Sequence, residues 1–226
     1  MSVLPRRIEL ASVIADALPR DRARKHRVQL IAKRALDIVA SSILLFVLAV
    51  PMLAIAIAIR LESRGGVIIR QLRVGRAGAS FTMFKFRTMR NGAERMQEEL
   101  APQNEHDGPI FKMRHDPRRT RVGAFLRRTS LDELPNLINV LLGQMTLVGP
   151  RPPLDYEVLG YSARELSRLA VKPGMTGLWQ VSGRSLLSWD EMVSLDLEYI
   201  RRWSFALDVL ILLRTIPAVV TGRGAY

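Results

Sequence analysis

The stretch RRTSLDELPNLINVLLGQMTLVGPRPP, from Arg127 to Pro153, carries two adjacent carboxylates and a Gly-Pro-Arg-Pro turn. Ser130 and Glu133 fit the S-x-x-E pattern of a capping box, which predicts a helix that begins within residues 130–132. Pro135 agrees with this start, because proline is tolerated in the first helical turn. The predicted helix carries apolar residues at helical spacing and stops at a glycine: Leu134, Leu137, Ile138, Leu141 and then Gly143.

Asp132 and Glu133 would lie in the first turn of that helix. Backbone N–H groups are unpaired there and the helix dipole favours negative charge, so both acids should be ionised and a phosphate could also bind. A carboxylate beside a phosphate needs a cation to mask the repulsion, and the candidates are Arg127, Arg128, Arg151 or a Mg²⁺ ion. Taken alone, the pair is better explained as a simple helix cap, because capping boxes are common.

The composition favours an anionic partner. The 226 residues carry a net charge of +13, which fits nucleic acid, an anionic membrane surface or a phosphorylated substrate. Apolar residues make up 48% of the chain and charged residues 24%, so the two kinds must be segregated along it. The absence of cysteine excludes a thiol nucleophile and a thiolate metal site. The three scattered histidines are too few for a zinc site and are interpreted as surface residues.

Residues 38–59, IVASSILLFVLAVPMLAIAIAI, carry no charge. As a helix they would measure about 33 Å, enough to cross a bilayer core of about 30 Å. A kink is expected at Pro51. Both flanks are basic, which would keep both ends on the cytoplasmic side and favours a re-entrant helix-break-helix. The flanking cations are Lys33, Arg34, Arg60 and Arg64.

The first thirty residues predict a short amphipathic helix over Ile8–Leu18, followed by a basic run. No apolar core with a small-residue cleavage site follows, so a secretory signal is not expected. The basic run fits either a contact with anionic lipid headgroups or a solvated tail.

Two strands are predicted after the uncharged run, over residues 67–71 and 80–86. Lys85 and Arg87 would share one face, where two cations suit a pyrophosphate, although solvated charges on an edge strand are the alternative. Residues 91–119 are polar and irregular, with a helix over 93–100, and are interpreted as a surface insertion near the site. The arginines that follow do not alternate with aromatic residues, so phosphate or lipid is a better partner than nucleic acid.

The last third of the chain predicts three helices, over residues 161–171, 188–202 and 205–220. Between the first two lies a loop over 174–183 with Trp179, which core packing would also explain, and Gln180. The final apolar segment is too short to span a bilayer and is predicted to lie at the interface beside the re-entrant helix.

The run SLDELPNLINVLLGQMTLVGPRP closely resembles the signature of the bacterial monotopic phosphoglycosyl transferases, which start the assembly of cell-surface glycans. Several ordered motifs carry the same resemblance over residues 32–220. They are Lys33-Arg34 with Asp37, QLRVG at 71–75, KFRTM at 85–89 and KPGMTGLWQVSGR at 172–184.

The resemblance implies an α+β fold: a small mixed α/β cytoplasmic domain over residues 61–226 with a C-terminal interfacial helix. A basic arm over 1–32 and a re-entrant membrane helix over 33–60 would precede it. The protein would lie on the cytoplasmic face of the bacterial inner membrane, in contact with its lipid.

The family transfers a sugar 1-phosphate from a UDP-sugar to undecaprenyl phosphate, using an aspartate nucleophile and Mg²⁺. The resemblance assigns the nucleophile to Asp132 and the metal contact to Glu133. Candidates for binding the phosphates and the nucleotide are Lys85, Arg87, Arg127 and, in the GPRP turn, Arg151 and Pro152.

The alternative is a non-enzymatic, membrane-tethered basic protein that binds polyanions, which only the net charge supports. Another kind of phosphoryl transferase is disfavoured, because the chain has no Walker A motif or kinase signature. The sequence leaves open the sugar, the glycan and the oligomeric state, with a homodimer as one option.

Overall fold

The computed structural model describes residues 23–93, 95–222 and 224. The helix predicted over Ile8–Leu18 therefore lies outside the described residues. The chain begins with α1 (Ala23–Val47) and α2 (Ala49–Glu62), whose axes differ by 61°. No single helix among the described residues is long and apolar enough to cross a membrane, but the bent pair passes that test of length and composition when its halves are combined.

The bend between α1 and α2 lies three residues before Pro51, where the sequence predicted the kink. Pro51 is the third residue of α2, a position at which its missing N–H costs little. The proline ring clashes with the carbonyl of the residue four positions earlier in a continuous helix, and that residue is Val47. The first helix accordingly ends at Val47 and the second begins at Ala49.

The outer face of the bent pair is apolar and exposed. Its most exposed large side chains are Ile31, Phe46, Val50 and Leu61. The inner face packs on the rest of the chain: Leu36 and Ala40 contact the main core, and Ile59 packs with Phe86 and Leu126. The pair therefore presents one apolar face to its surroundings and one to the domain.

Three polar residues of α1 fix this helix to the domain. Lys33 donates to Asp208 at 2.7 Å and to the Val148 carbonyl at 2.8 Å. Arg34 donates to the carbonyls of Val140 and Leu141, and Asp37 accepts from the Thr146 hydroxyl and the Leu147 N–H. The Lys-Arg and Asp motif at residues 33–37 thus joins α1 to the domain through charge-assisted hydrogen bonds.

The domain contains two small sheets. The antiparallel hairpin pairs β1 (Ile68–Val74) with β2 (Ser80–Phe86), and β3 (Thr146–Val148) runs parallel to β4 (Gly174–Thr176). The prediction of β2 is confirmed, and β1 extends three residues further than predicted. β4 lies inside the predicted loop over 174–183, which also contains a short helix.

Helices cover most of the remaining described chain: α3 (Met96–Leu100), α4 (Arg121–Thr129), α5 (Asn136–Leu141), α6 (Asp155–Val158), α7 (Ala163–Leu166), α8 (Leu178–Ser182), α9 (Trp189–Arg202) and α10 (Phe205–Thr221). The predictions of α9 and α10 are confirmed within a residue. The single helix predicted over 161–171 is instead α7 followed by a 3-10 turn over Ser167–Ala170. The helix predicted over 93–100 begins only at Met96.

The main core lies between α1, α5, β3, α9 and α10. Its buried residues include Leu137, Met145, Leu147, Tyr199 and Ile211. Because α5 and β3 follow the Asp-Glu pair closely in the chain, their packing in this core fixes the position of the turn that carries the two carboxylates.

Candidate active site

Asp132 and Glu133 lie on a 3-10 turn, Leu131–Glu133, between α4 and α5. The capping box predicted from Ser130 and Glu133 is wrong. Ser130 has a left-handed backbone (φ 57°) and makes no side-chain cap; its hydroxyl accepts a hydrogen bond from Arg184 at 2.8 Å. The Glu133 carboxylate accepts from Lys85 at 2.5 Å, and the regular helix begins only at Asn136.

A close contact between α4 and the end of β2 sets this geometry. Thr120 caps α4 by accepting from the Gly123 N–H at 2.9 Å. A Cβ atom on Gly123 would lie 2.0 Å from the Thr88 carbonyl oxygen, so only glycine allows this approach. The approach brings the last turn of α4, with Arg127, beside the strand that carries Lys85.

Asp132 is a buried carboxyl group, with 8% of the residue exposed. Burial raises its pKa to about 6, the Glu133 charge acts in the same direction, and Lys85 and Arg127 oppose both. At neutral pH Asp132 is therefore mostly ionised, poorly solvated and flanked by cations. These are the properties of an activated nucleophile.

Glu133 has the opposite shift. Burial alone would raise its pKa, but Lys85, Arg151 and Arg73 outweigh burial and hold the pKa below its usual value. The environment thus shifts the pKa values of two adjacent carboxyl groups in opposite directions, so Asp132 is the more basic and Glu133 the less basic of the pair.

The pair opens into a cavity of about 960 Å³. Its walls come from the hairpin, the irregular segment before α4, the GPRP turn and the region around α8. The lining is strongly cationic: Arg73, Lys85, Arg87, Lys112, Arg118, Arg127, Arg151 and Arg184 all contribute. The surface insertion predicted over 91–119 is thus one wall of this cavity.

Four of the predicted binding residues line the cavity: Lys85, Arg87, Arg127 and Arg151. Arg127 interacts electrostatically with Asp132 and donates from Nε to the Thr88 hydroxyl at 3.1 Å. Arg151 lies 3.6 Å from Glu157 in an ion pair.

The guanidinium of Arg87 forms hydrogen bonds with the protein backbone next to the cavity. It donates to the carbonyls of Ser63 at 2.7 Å and Arg64 at 2.8 Å, so it binds the C-terminal end of α2. Pro152 contributes its carbonyl oxygen, which accepts from Arg73 at 2.9 Å. Both residues therefore have structural contacts beside the cavity.

The sequence did not single out Arg73 and Arg184. Burial lowers the pKa of Arg73 to about 9, and its guanidinium donates to Gln71 at 2.6 Å. The alternation of side chains along the hairpin could have identified Arg73. In the observed register Gln71, Arg73 and Lys85 share one face. Arg184 holds Ser130 beside the carboxylates, a contact between distant segments that no spacing rule reveals.

The interpretation of the histidines as surface residues is wrong for His106, because only 5% of its side chain is exposed. Its ring nitrogens contact the carbonyls of Asp107 and Leu187. His115 is exposed as expected. No group of three or more potential metal-ligating side chains occurs in residues 23–93 and 95–222.

The donor set nevertheless fits Mg²⁺ in one way. Mg²⁺ keeps several waters and is commonly held by one or two carboxylates together with substrate phosphates. Glu133 lines the cavity beside Asp132, and its lowered pKa favours the anionic form that binds a cation.

A buried carboxyl group with a raised pKa beside a cationic cavity is an arrangement suited to phosphoryl-group chemistry. The family comparison narrows the class: residues 28–222 match the model of the family described as "Bacterial sugar transferase". The chain belongs to this family, which confirms the family predicted from the motifs.

Three relatives illustrate the match. The "Galactosyl transferase CpsE" of Streptococcus agalactiae is 45% identical over 87% of this chain and 44% of its own length. The "Exopolysaccharide production protein ExoY" of Rhizobium meliloti is 40% identical, covering 86% of this chain and 88% of the relative. The "UDP-glucose:undecaprenyl-phosphate glucose-1-phosphate transferase" of Caulobacter vibrioides is 41% identical, covering 86% and 72%. The chain thus spans less than half of the first relative and most of the second.

Proposed function

We propose that this protein transfers a sugar 1-phosphate from a UDP-sugar to undecaprenyl phosphate, releases UMP and thereby starts the synthesis of a surface polysaccharide. The observation that carries the proposal is Asp132, which is buried and basic between Lys85 and Arg127 at the wall of a cationic cavity. The name of the Caulobacter relative supports this donor and acceptor class.

In the first step, a carboxylate oxygen of Asp132 attacks the phosphorus that carries the sugar. The bond from this phosphorus to the bridging oxygen breaks, and the electron pair leaves with UMP. Lys85 and Arg127 offset the charge on the phosphate oxygens, which would otherwise repel the carboxylate.

In the second step, a phosphate oxygen of undecaprenyl phosphate attacks the same phosphorus. The bond to Asp132 breaks, the carboxylate is restored, and the sugar is left on a lipid diphosphate. Splitting the transfer into two displacements lets donor and acceptor use the same cations in turn.

Glu133 is the candidate ligand for Mg²⁺, with phosphate oxygens of the substrate completing the set. The bound metal would supply charge neutralisation at the phosphates. Lys85 contacts Glu133 at 2.5 Å and so holds this carboxylate in position.

The bent helix pair suits a protein that meets its acceptor at a membrane. Its exposed apolar face and basic flanks favour a re-entrant arrangement on the cytoplasmic side of the inner membrane. Lys33, Arg34 and Asp37 tie α1 to the domain, which would hold the cavity at a constant depth beside the lipid headgroups.

The test is UMP release from a panel of UDP-sugars, with detergent-solubilised protein, Mg²⁺ and undecaprenyl phosphate. Wild type should release UMP with a particular donor, and Asp132→Asn should not. Asp190→Asn is the matched control, because this aspartate is exposed and pairs with Arg164 on the surface.

A second measurement tests the covalent step. In the absence of acceptor, the intact wild-type protein should gain the mass of one sugar phosphate, and Asp132→Asn should gain nothing. Transfer without any mass gain in quenched samples would refute the covalent route, and no UMP release from any donor by folded protein would refute the function.

A further inference from the structure

Lys112 is a cation of the cavity that the proposed reaction has not used. It lies in the irregular segment before α4 and lines the same cavity as Asp132. Its backbone is held on both sides: its N–H donates to the Asn104 side chain at 2.8 Å, and its carbonyl accepts from the Glu105 N–H at 2.8 Å. Its position in the wall is therefore built into the fold.

The side chain of Lys112 is positioned by an aromatic contact. Its Nζ lies 5.6 Å from the centroid of the Trp179 ring, within the range of a cation–π interaction. Trp179 is itself buried, in a cluster with Ile110 and Met192. The tryptophan that the sequence also explained as core packing is thus both core and support for a cavity cation.

The ammonium of Lys112 is buried and has no hydrogen-bond partner among the described residues. Burial and, to a lesser extent, the charge of Arg151 lower its pKa to about 8 against the opposing charges of Asp107 and Glu157. Glu157 is already engaged, since it caps the Leu154 N–H and pairs with Arg151. Buried cations are normally paired, so this ammonium lacks an anion.

Other cations of the cavity have protein partners. These contacts are Lys85 with Glu133, Arg73 with Gln71, Arg87 with the end of α2, and Arg118 with Asp116. Lys112 differs from them, because its partner must come from outside the described chain. A bound ligand with a negative charge meets that requirement.

The location of Lys112 in the cavity indicates which negatively charged group of a ligand it would bind. Arg151 acts electrostatically on both Glu133 and Lys112, so these three charged groups lie within interaction range around the cavity. Lys85 and Arg127 are the cations that act on Asp132 itself. A diphosphate with its sugar-bearing phosphorus at Asp132 has its second phosphate one bridging oxygen away. We infer that Lys112, supported by Trp179, binds the phosphate that leaves with the nucleoside. This inference rests on the proposed function.

The test measures binding of UMP, which carries that phosphate and no sugar, by calorimetry in detergent. Lys112→Met should weaken UMP binding by about 10–100-fold, the usual worth of a hydrogen bond to a charged group. Lys112→Arg should restore part of it, and uridine should bind wild type and Lys112→Met equally. The matched control is Lys172→Met, because Lys172 is exposed and does not line the cavity.

Thermal unfolding of each variant checks the fold, and Lys112→Gln replaces the methionine variant if that one is destabilised. Unchanged UMP affinity in the folded variant would overturn the inference while leaving UMP release by wild type intact. An equal loss of uridine binding would also overturn it, because the residue would then shape the cavity without contacting phosphate. Wild-type protein that neither binds nor releases UMP would refute the proposed function, and this inference with it.

Discussion

Replacing Asp132 by asparagine should abolish transfer and also stabilise the fold. The carboxylate is buried, and its pKa is raised from 3.8 to about 6, so ionising it costs free energy in the folded state. Asparagine has nearly the same shape and no charge. The ionised Asp132 carboxylate is therefore expected to reduce the stability of the fold, as is common for groups that serve in catalysis.

The size and sign of the effect follow from proton linkage. The folded-state pKa of Asp132 lies above its unfolded value, so the protonated carboxyl group favours the folded state. This contribution to stability is complete below about pH 4 and is lost as the pH rises through about 6. Ionisation of Asp132 therefore lowers the free energy of unfolding by about 3 kcal/mol at pH 8 and by about half as much at pH 5. For a chain of 226 residues, Asp132→Asn should raise Tm by roughly 5–10 °C at pH 8 and by less at pH 5.

The assay is thermal unfolding of wild type, Asp132→Asn and the surface control Asp190→Asn in one detergent at pH 5 and pH 8. The control should unfold near the wild-type temperature. A lower Tm for Asp132→Asn at pH 8, or a gain that does not depend on pH, would refute the reasoning that burial dominates the energetics of this carboxyl group.

Further predictions concern the same site. The rate of UMP release in the absence of acceptor should fall as the pH drops through about 6, because Asp132 becomes protonated, whereas a flat profile from pH 5 to 8 would exclude it as the titrating nucleophile. Lys85→Met should slow this release at least tenfold and move the pH midpoint upward, because Lys85 opposes the rise in the Asp132 pKa; an unshifted midpoint would contradict this. Gly123→Ala should lower Tm by several degrees, because its Cβ would meet the Thr88 carbonyl. Gly66→Ala, whose Cβ would make only an ordinary contact at 3.5 Å with the Ile68 carbonyl oxygen, should not; equal effects would show that the close approach is unimportant.

Local sequence patterns determined several elements directly. The strand β2 and the helices α9 and α10 follow from alternation, capping and apolar spacing, which depend on neighbouring residues alone. The uncharged run with its proline predicted a broken helix, and the break was displaced only because the proline ring acts on the carbonyl four residues earlier. The ordered motifs identified the family and the Asp-Glu pair.

Contacts between distant segments decided the rest. The capping box failed because Lys85 attracts the Glu133 carboxylate and Arg184 binds Ser130, and neither partner is visible within the helix itself. The different pKa values of Asp132 and Glu133 likewise depend on burial and on cations from four other segments.

The amino-acid sequence by itself determined several of the helices and strands and the family, and it singled out the Asp132-Glu133 pair, since these depend on residue type and local spacing. Only the tertiary structure decided which cations face those carboxylates, which ones are bound to protein groups, and that the Lys112 ammonium has no hydrogen-bond acceptor in the part of the chain that the structure describes. The physical reason is that electrostatic interactions depend on distance and burial, and both are set when distant parts of the chain pack together.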